Sequence, residues 1–400
     1  MTVDPIIMLG IDNCFASKRW TKPESWCEQI AHLGLGYIEA SADTECDPLY
    51  MGSAYTADWV QRVKLACENN GVQIANLYSG HGTYATLGLS HWDARVRARF
   101  RDAWIKPQID TAAALGAGIG FFAHAFDETV LQEPAQYEQS LAWLYSDLGD
   151  IAAYAAARGV KGAGVEQMYS PHQPPWTIES TQALLRQVYA LRGAPFYVTL
   201  DVGHMNGQQH FLRPTEASIL QALKQVRQGE ARRIWMGSQL AARAFRAAAA
   251  GHSTDAQAVQ VILHEAEKTP YLFAQSCDTD PYRWVEALGC WSPIVHLQQS
   301  DGNSSPHWPF DTAHNAMGII DGGKLLRALA AAYDAPQSPD MPPMCEQITL
   351  TLEPFVGTAD DPYAALEKLR ESVRYWRRFI PRDGLRLSEL TKQLDQTEKA

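Results

Sequence analysis

The sequence is poor in what several functional classes require. Cysteine occurs only seven times in 400 residues, at Cys14, Cys27, Cys46, Cys67, Cys277, Cys290 and Cys345, with no CxxC pair and an odd count. That pattern supports neither a thiolate zinc site nor a disulfide framework, and the cytoplasm is the expected compartment. No apolar run reaches the roughly 18 residues that a membrane helix needs, so no membrane partner is expected. Met1–Gly10 lacks a basic stretch followed by a long apolar run, so no secretory leader is expected. Positive charge is scarce: 34 Lys and Arg against 45 Asp and Glu, a formal net charge of −11. A phosphate backbone selects a basic surface, so nucleic acid is not the expected ligand. Neither GxxxxGK[ST] nor GxSxG occurs, which removes a P-loop and a nucleophile elbow. Gly116-Ala-Gly-Ile-Gly120 is rich in glycine but precedes an apolar run. It therefore reads as a helix-to-strand turn, not a dinucleotide fingerprint.

What is present is a rhythm. Short apolar runs predict strands over Ile6–Ile11, Tyr37–Ala40, Val72–Tyr78, Ile119–His124, Lys161–Glu166, Phe196–Asp201, Ile294–Gln298 and Ile348–Glu353. Between them, helical patterns fall over Pro23–Leu33, Ala57–Asn69, Asp93–Leu115, Pro134–Arg158, Ile178–Leu191, Pro281–Leu288, Gly323–Tyr333 and Pro362–Phe379. Pro23 and Pro362 open helices, and Gly71, Gly116 and Gly159 close them, as the geometry of helix ends prefers. Alternation of this kind implies a parallel sheet, and eight repeats favour a closed (β/α)8 barrel, an α/β fold, over an open sheet.

Residues 1–380 read as one barrel domain, with an interruption after the sixth strand. A helical insertion is expected at about residues 213–279, with helices at Thr215–Gln228, Arg233–Ala250 and Ala256–Lys268, because one barrel unit rarely needs so long a connection. A surface elaboration or a contact in a homo-oligomer is the plainer use of it, and a lid the sharper. Residues 381–400 are polar and read as a peripheral tail.

Reactive groups in such barrels sit where strands end and loops begin. The fifth to eighth strands end on Gly164-Val-Glu166, Leu200-Asp201-Val-Gly-His204, Val295-His296-Leu-Gln298 and Leu352-Glu353. A lone carboxylate there is ordinarily a cap or an ion-pair partner. Three acids and an imidazole at one rim repel one another and lose solvent unless a cation lies among them. Oxygen ligands with one nitrogen suit one divalent ion, manganese first and cobalt or magnesium as alternatives, more than structural zinc. Such a metal polarises a carbonyl and stabilises an enediolate, while Glu166 and Glu353, from strands three apart, can face each other as an acid–base pair.

At these residues the sequence resembles the sugar phosphate isomerase/epimerase superfamily of xylose isomerase-like barrels. Asp201-Val-Gly-His204 and Val295-His-Leu297 are its recurring strand ends. It looks closest to the erythrulose-phosphate 3-epimerases, through Phe15-Ala-Ser-Lys18-Arg19-Trp20, Pro281-Tyr-Arg-Trp284, Val295-His-Leu-Gln-Gln-Ser-Asp-Gly302, His307-Trp-Pro-Phe310 and Gly318-Ile-Ile320. The resemblance implies that Glu166, Asp201, His296 and Glu353 bind the metal. It implies that Glu166 and Glu353 exchange protons with substrate, and that His204 holds a substrate oxygen. Lys18 and Arg19 are candidates for a substrate phosphate. His81, His124, Gln298, His307 and Trp308 are expected to line the pocket. The sequence departs from the family's pattern at Gln167, where a proline is usual, and in the insertion.

The expected function is epimerisation or isomerisation of a short ketose or ketose phosphate through a metal-held enediolate. An aldose–ketose isomerase or a lyase on a larger or oxidised sugar is the alternative, and a non-catalytic sugar-binding barrel the second.

Overall fold

A computed structural model describes residues 3–80, 88–230, 234–336 and 338–397. Eight parallel strands close on themselves: β1 (Ile6–Asp12), β2 (Tyr37–Ser41), β3 (Gln73–Ser79), β4 (Gly118–Phe121), β5 (Ala163–Glu166), β6 (Tyr197–Asp201), β7 (Ile294–Leu297) and β8 (Gln347–Leu352). β1 pairs with β8 over Ile6–Ile11 and with β2 over Gly10–Asp12, which seals the barrel.

The period-2 alternation of a strand sorts side chains to two sides. Ile7, Leu9, Ile11, Ile38, Leu77, Val165, Val198, Leu200, Val295, Leu297, Ile348 and Leu350 join one apolar core with the surrounding helices. Many of the alternate residues are small or polar, among them Gly10, Asp12, Glu39, Asn76, Gly120, Gly164, Thr199 and Thr351. Gly120 shows why: a Cβ there would lie 3.1 Å from the Tyr78 ring, 3.2 Å from Asn76 Nδ2 and 3.3 Å from Thr199 Oγ1. The barrel centre is therefore a polar, crowded space whose upper end carries the carboxylates.

The outer helices lie close to their expected places. Pro23–His32, Gly52–Asn70, Pro134–Ala157, Ile178–Arg192, Pro281–Leu288, Gly322–Asp334 and Pro362–Trp376 follow the strands. Asp361 caps the last by accepting from the backbone N–H groups of Tyr363 and Ala364, and left-handed Gly71, Gly116 and Gly193 close three others. The predicted helix Asp93–Leu115 begins after its cap Asp93 and is widened by a π turn at Arg101–Ile105. The fourth strand stops at Phe121, short of His124, because His124 adopts a left-handed φ of 67° that no strand accommodates.

Helices Glu216–Arg227, Gln239–Ala249 and Asp255–Lys268 make up the insertion. Ile219, Leu223, Ala248, Val259 and Ile262 form a small core of its own, separate from that of the barrel. Its middle helix starts later than expected, at Gln239, because Ser238 caps it by accepting from the Ala241 N–H. Tyr271 ties the insertion to the barrel: it stacks on Tyr137 with ring centres 3.8 Å apart and donates to the Leu131 carbonyl at 2.9 Å.

The tail is not peripheral. Leu385–Arg386 forms β9, antiparallel to the start of β1. Leu387–Thr397 is a helix that packs against Gly322–Asp334. Leu385, Leu387 and Leu390 are buried there, spaced so that a largely polar segment still presents one apolar face.

Candidate active site

Four side chains converge at the C-terminal ends of consecutive strands. Glu166 ends β5, Asp201 ends β6, His296 lies in β7, and Glu353 follows β8 by one residue. All four are buried, and their ligand atoms lie within 4.8 Å of one another. His296 is the hub. Its Nδ1 is 3.0 Å from Glu166 Oε1 and 3.2 Å from Glu353 Oε2, and its Nε2 is 3.1 Å from Glu39 Oε1.

A second ring of groups orients these. The Gln298 amide donates to both oxygens of Asp201, and the Gly203 N–H donates to Asp201 Oδ1 at 2.6 Å. A Cβ on Gly203 would collide with the Gln298 side chain, so this turn requires glycine. His204 Nδ1 lies 2.6 Å from the Gln167 carbonyl oxygen, which leaves Nε2 facing Asp201 Oδ2 at 3.5 Å. His307 Nδ1 lies 3.1 Å from the Glu353 carbonyl oxygen and 3.4 Å from Glu353 Oε2. Phe355 stacks flat on the His307 ring. The Tyr78 hydroxyl donates to Glu166 Oε2, and its ring meets His296 edge-on.

The electrostatics follow from burial and mutual proximity. Burial opposes ionisation of Glu353, but His296 and His307 outweigh it and hold the carboxyl well below its ordinary range. For Asp201 and Glu39 burial prevails over the histidines, and both are raised. Burial pushes His296 down, yet Glu353, Glu39 and Glu166 bring it well above its usual value. Four carboxyls thus surround one imidazole in a space closed to solvent. A divalent cation would relieve that charge, and three carboxylates with one imidazole nitrogen form a donor set that fits such an ion.

Of the residues expected from sequence, Glu166, Asp201, His204, His296, Gln298, His307 and Glu353 come together. Others are engaged elsewhere. Lys18 Nζ donates to Thr358 Oγ1 at 3.0 Å, and Arg19 donates to the carbonyls of Gly357 and Asp360 at 2.7 and 2.8 Å, so this pair braces the loop after β8. His124 packs between Phe100 and Phe122. The Trp308 ring lies beside His314. His81 lies outside the described residues. Glu39 and Tyr78 escaped sequence reasoning. The available signal for Glu39 was a carboxylate in the middle of an apolar strand, which must find a partner once buried.

A closed parallel barrel with acidic and imidazole groups at its C-terminal rim defines the structural class. The family described as xylose isomerase-like TIM barrel matches residues 27–260, more than half of the sequence, and the chain belongs to it. D-erythrulose 1-phosphate 3-epimerase of Brucella abortus (strain 2308) is 43% identical over 101 residues, which is 25% of this chain and 29% of that protein. The chain thus spans less than a third of the length of this curated relative. A candidate xylose isomerase of Rhodospirillum rubrum superposes with a TM-score of 0.65 at 18% identity, over 93% of this chain and 99% of that one. D-psicose 3-epimerase of Clostridium cellulolyticum H10, solved with D-tagatose, superposes with a TM-score of 0.54 at 14% identity, over 93% and 98%. These two likenesses are of fold.

Proposed function

We propose that the protein is a divalent-metal-dependent epimerase or isomerase of a short ketose or ketose phosphate. The observation that carries this reading is the convergence of Glu166, Asp201, His296 and Glu353 within 4.8 Å in a buried space. These residues would hold one ion, manganese by preference, which when bound polarises a substrate carbonyl and acidifies the neighbouring C–H. Glu166 and Glu353, from strands three apart, both reach His296 Nδ1, at 3.0 and 3.2 Å. One carboxylate removes the proton beside the carbonyl, and the other returns a proton to the opposite face. Tyr78 fixes the second oxygen of Glu166 and so its reach. His204 directs Nε2 toward the space beside Asp201, where a substrate hydroxyl can be held. The name of the partial relative supports a phosphorylated ketose as substrate and the carbon next to the carbonyl, C3, as the reacting centre.

The test is exchange in D₂O. Manganese-loaded protein is incubated with ketoses and ketose phosphates, and the sugar C–H signals are followed by NMR. Deuterium entering at C3 supports the epimerase, and entry at C1 identifies an aldose–ketose isomerase. Glu166→Gln and Glu353→Gln are each expected to abolish exchange while circular dichroism is unchanged. If either keeps near-normal exchange, the acid–base assignment is wrong; if the metal-loaded protein exchanges none of the sugars, the activity is wrong.

A further inference from the structure

The least explained group near the site is Glu39. It projects from the middle of β2 into the barrel centre, is buried, and among the described residues makes no ion pair with Lys or Arg. Its Oε1 lies 3.1 Å from His296 Nε2 and accepts from Asn76 Nδ2 at 3.3 Å. Its Oε2 has no hydrogen-bond partner among the described residues. Below it, Asn76 lines a cavity of about 750 Å³ at the N-terminal face of the barrel and separates Glu39 from it. A carboxylate held this way is costly to bury, and besides the Asn76 amide it engages an imidazole whose other nitrogen faces Glu166 and Glu353.

We infer that Glu39 is a positioning residue for the metal: by accepting the Nε2–H of His296 it fixes the tautomer in which Nδ1 is bare and aimed between Glu166 and Glu353. A carboxylate behind a ligating imidazole orients the ring and raises the basicity of the ligating nitrogen, and loss of such a partner typically weakens metal binding about 10- to 100-fold. Asn76 holds the Glu39 oxygen that does this. The inference rests on the metal-site reading above and adds a residue from the opposite side of the barrel to it.

The experiment is Mn²⁺ titration of the metal-free protein, wild type against Glu39→Gln, a change of one atom that retains side-chain volume. The variant is expected to bind Mn²⁺ about 10- to 100-fold more weakly, with the circular dichroism and melting temperature of the metal-free protein unchanged. In the Mg²⁺ form, the Nε2–H proton resonance of His296, shifted downfield by a carboxylate acceptor, moves upfield in the variant. A residue with a packing role only would move neither readout. If wild type takes up no Mn²⁺, the metal-site reading fails and this inference with it. If wild type binds and Glu39→Gln binds equally, the inference alone fails. Should Glu39→Gln not fold, Asn76→Ala replaces it. That variant admits cavity water to Glu39 and is expected to weaken Mn²⁺ binding by a smaller factor; unchanged affinity overturns the inference.

Discussion

The amide of Gln298 reaches back one strand and holds both oxygens of Asp201, at 2.8 and 3.0 Å. Its own carbonyl accepts the His307 N–H at 2.7 Å, so the orientation of the amide is set by the backbone. Gln298→Ala leaves Asp201 with the Gly203 N–H but free to rotate. We expect Mn²⁺ affinity to fall about tenfold or more, as when the outer partners of metal ligands are removed. Titration of the metal-free variant checks this, and wild-type affinity would show that Gly203 alone suffices.

Lys18 is exposed, and among the described residues its ammonium donates to Thr358 Oγ1. A substrate phosphate can take that place with a stronger, charge-assisted bond. Lys18→Ala should raise KM for a ketose phosphate by about tenfold, the worth of one such bond, and leave KM for the free ketose unchanged. Equal effects on both substrates would remove the phosphate role.

Glu45 accepts the indole N–H groups of Trp26 and Trp59 at 3.3 and 3.1 Å. Burial pushes its pKa up to about 7. The folded state therefore holds this proton more tightly than the unfolded state does. Its contribution to stability is greatest below the ordinary carboxyl range, falls as pH rises toward about 7, and is level above that. Glu45→Gln keeps an acceptor for both indoles and never ionises. Its stability relative to wild type should therefore rise between pH 5 and pH 7.5 (about 3 kcal/mol at most). Urea denaturation across that range measures it, and a constant difference would mean that Glu45 ionises normally.

Deleting residues 385–400 removes β9 and the helix behind it. Leu385, Leu387 and Leu390 are buried in that segment, and three leucines at about 2 kcal/mol each suggest a loss of about 5 kcal/mol or more. That is a large share of an ordinary domain's stability. The truncated protein should melt far lower or be insoluble, and a melting temperature like that of the full chain would restore the view of a dispensable tail.

The eight strands and the groups at their ends were legible because both are local. Alternation within β6 and β7 puts Asp201 and His296 on the inner side whatever the rest of the chain does. The breaks were local too: the insertion showed as an overlong connection between two apolar runs. Other features depended on closure. Glu39 meets His296 across 257 residues, and Tyr78 meets Glu166 across 88. No window of sequence contains either pair, and only the curvature of the sheet brings β2 and β3 opposite β5 and β7. The tail was misread for the same reason, since its few leucines acquire meaning only beside the groove that the first strand and the Gly322–Asp334 helix leave for them. Sequence alone determined which chemistry-bearing residues sit at the strand ends. Tertiary structure decided which buried groups stand behind them, because barrel closure is a long-range event whose contacts no local period records.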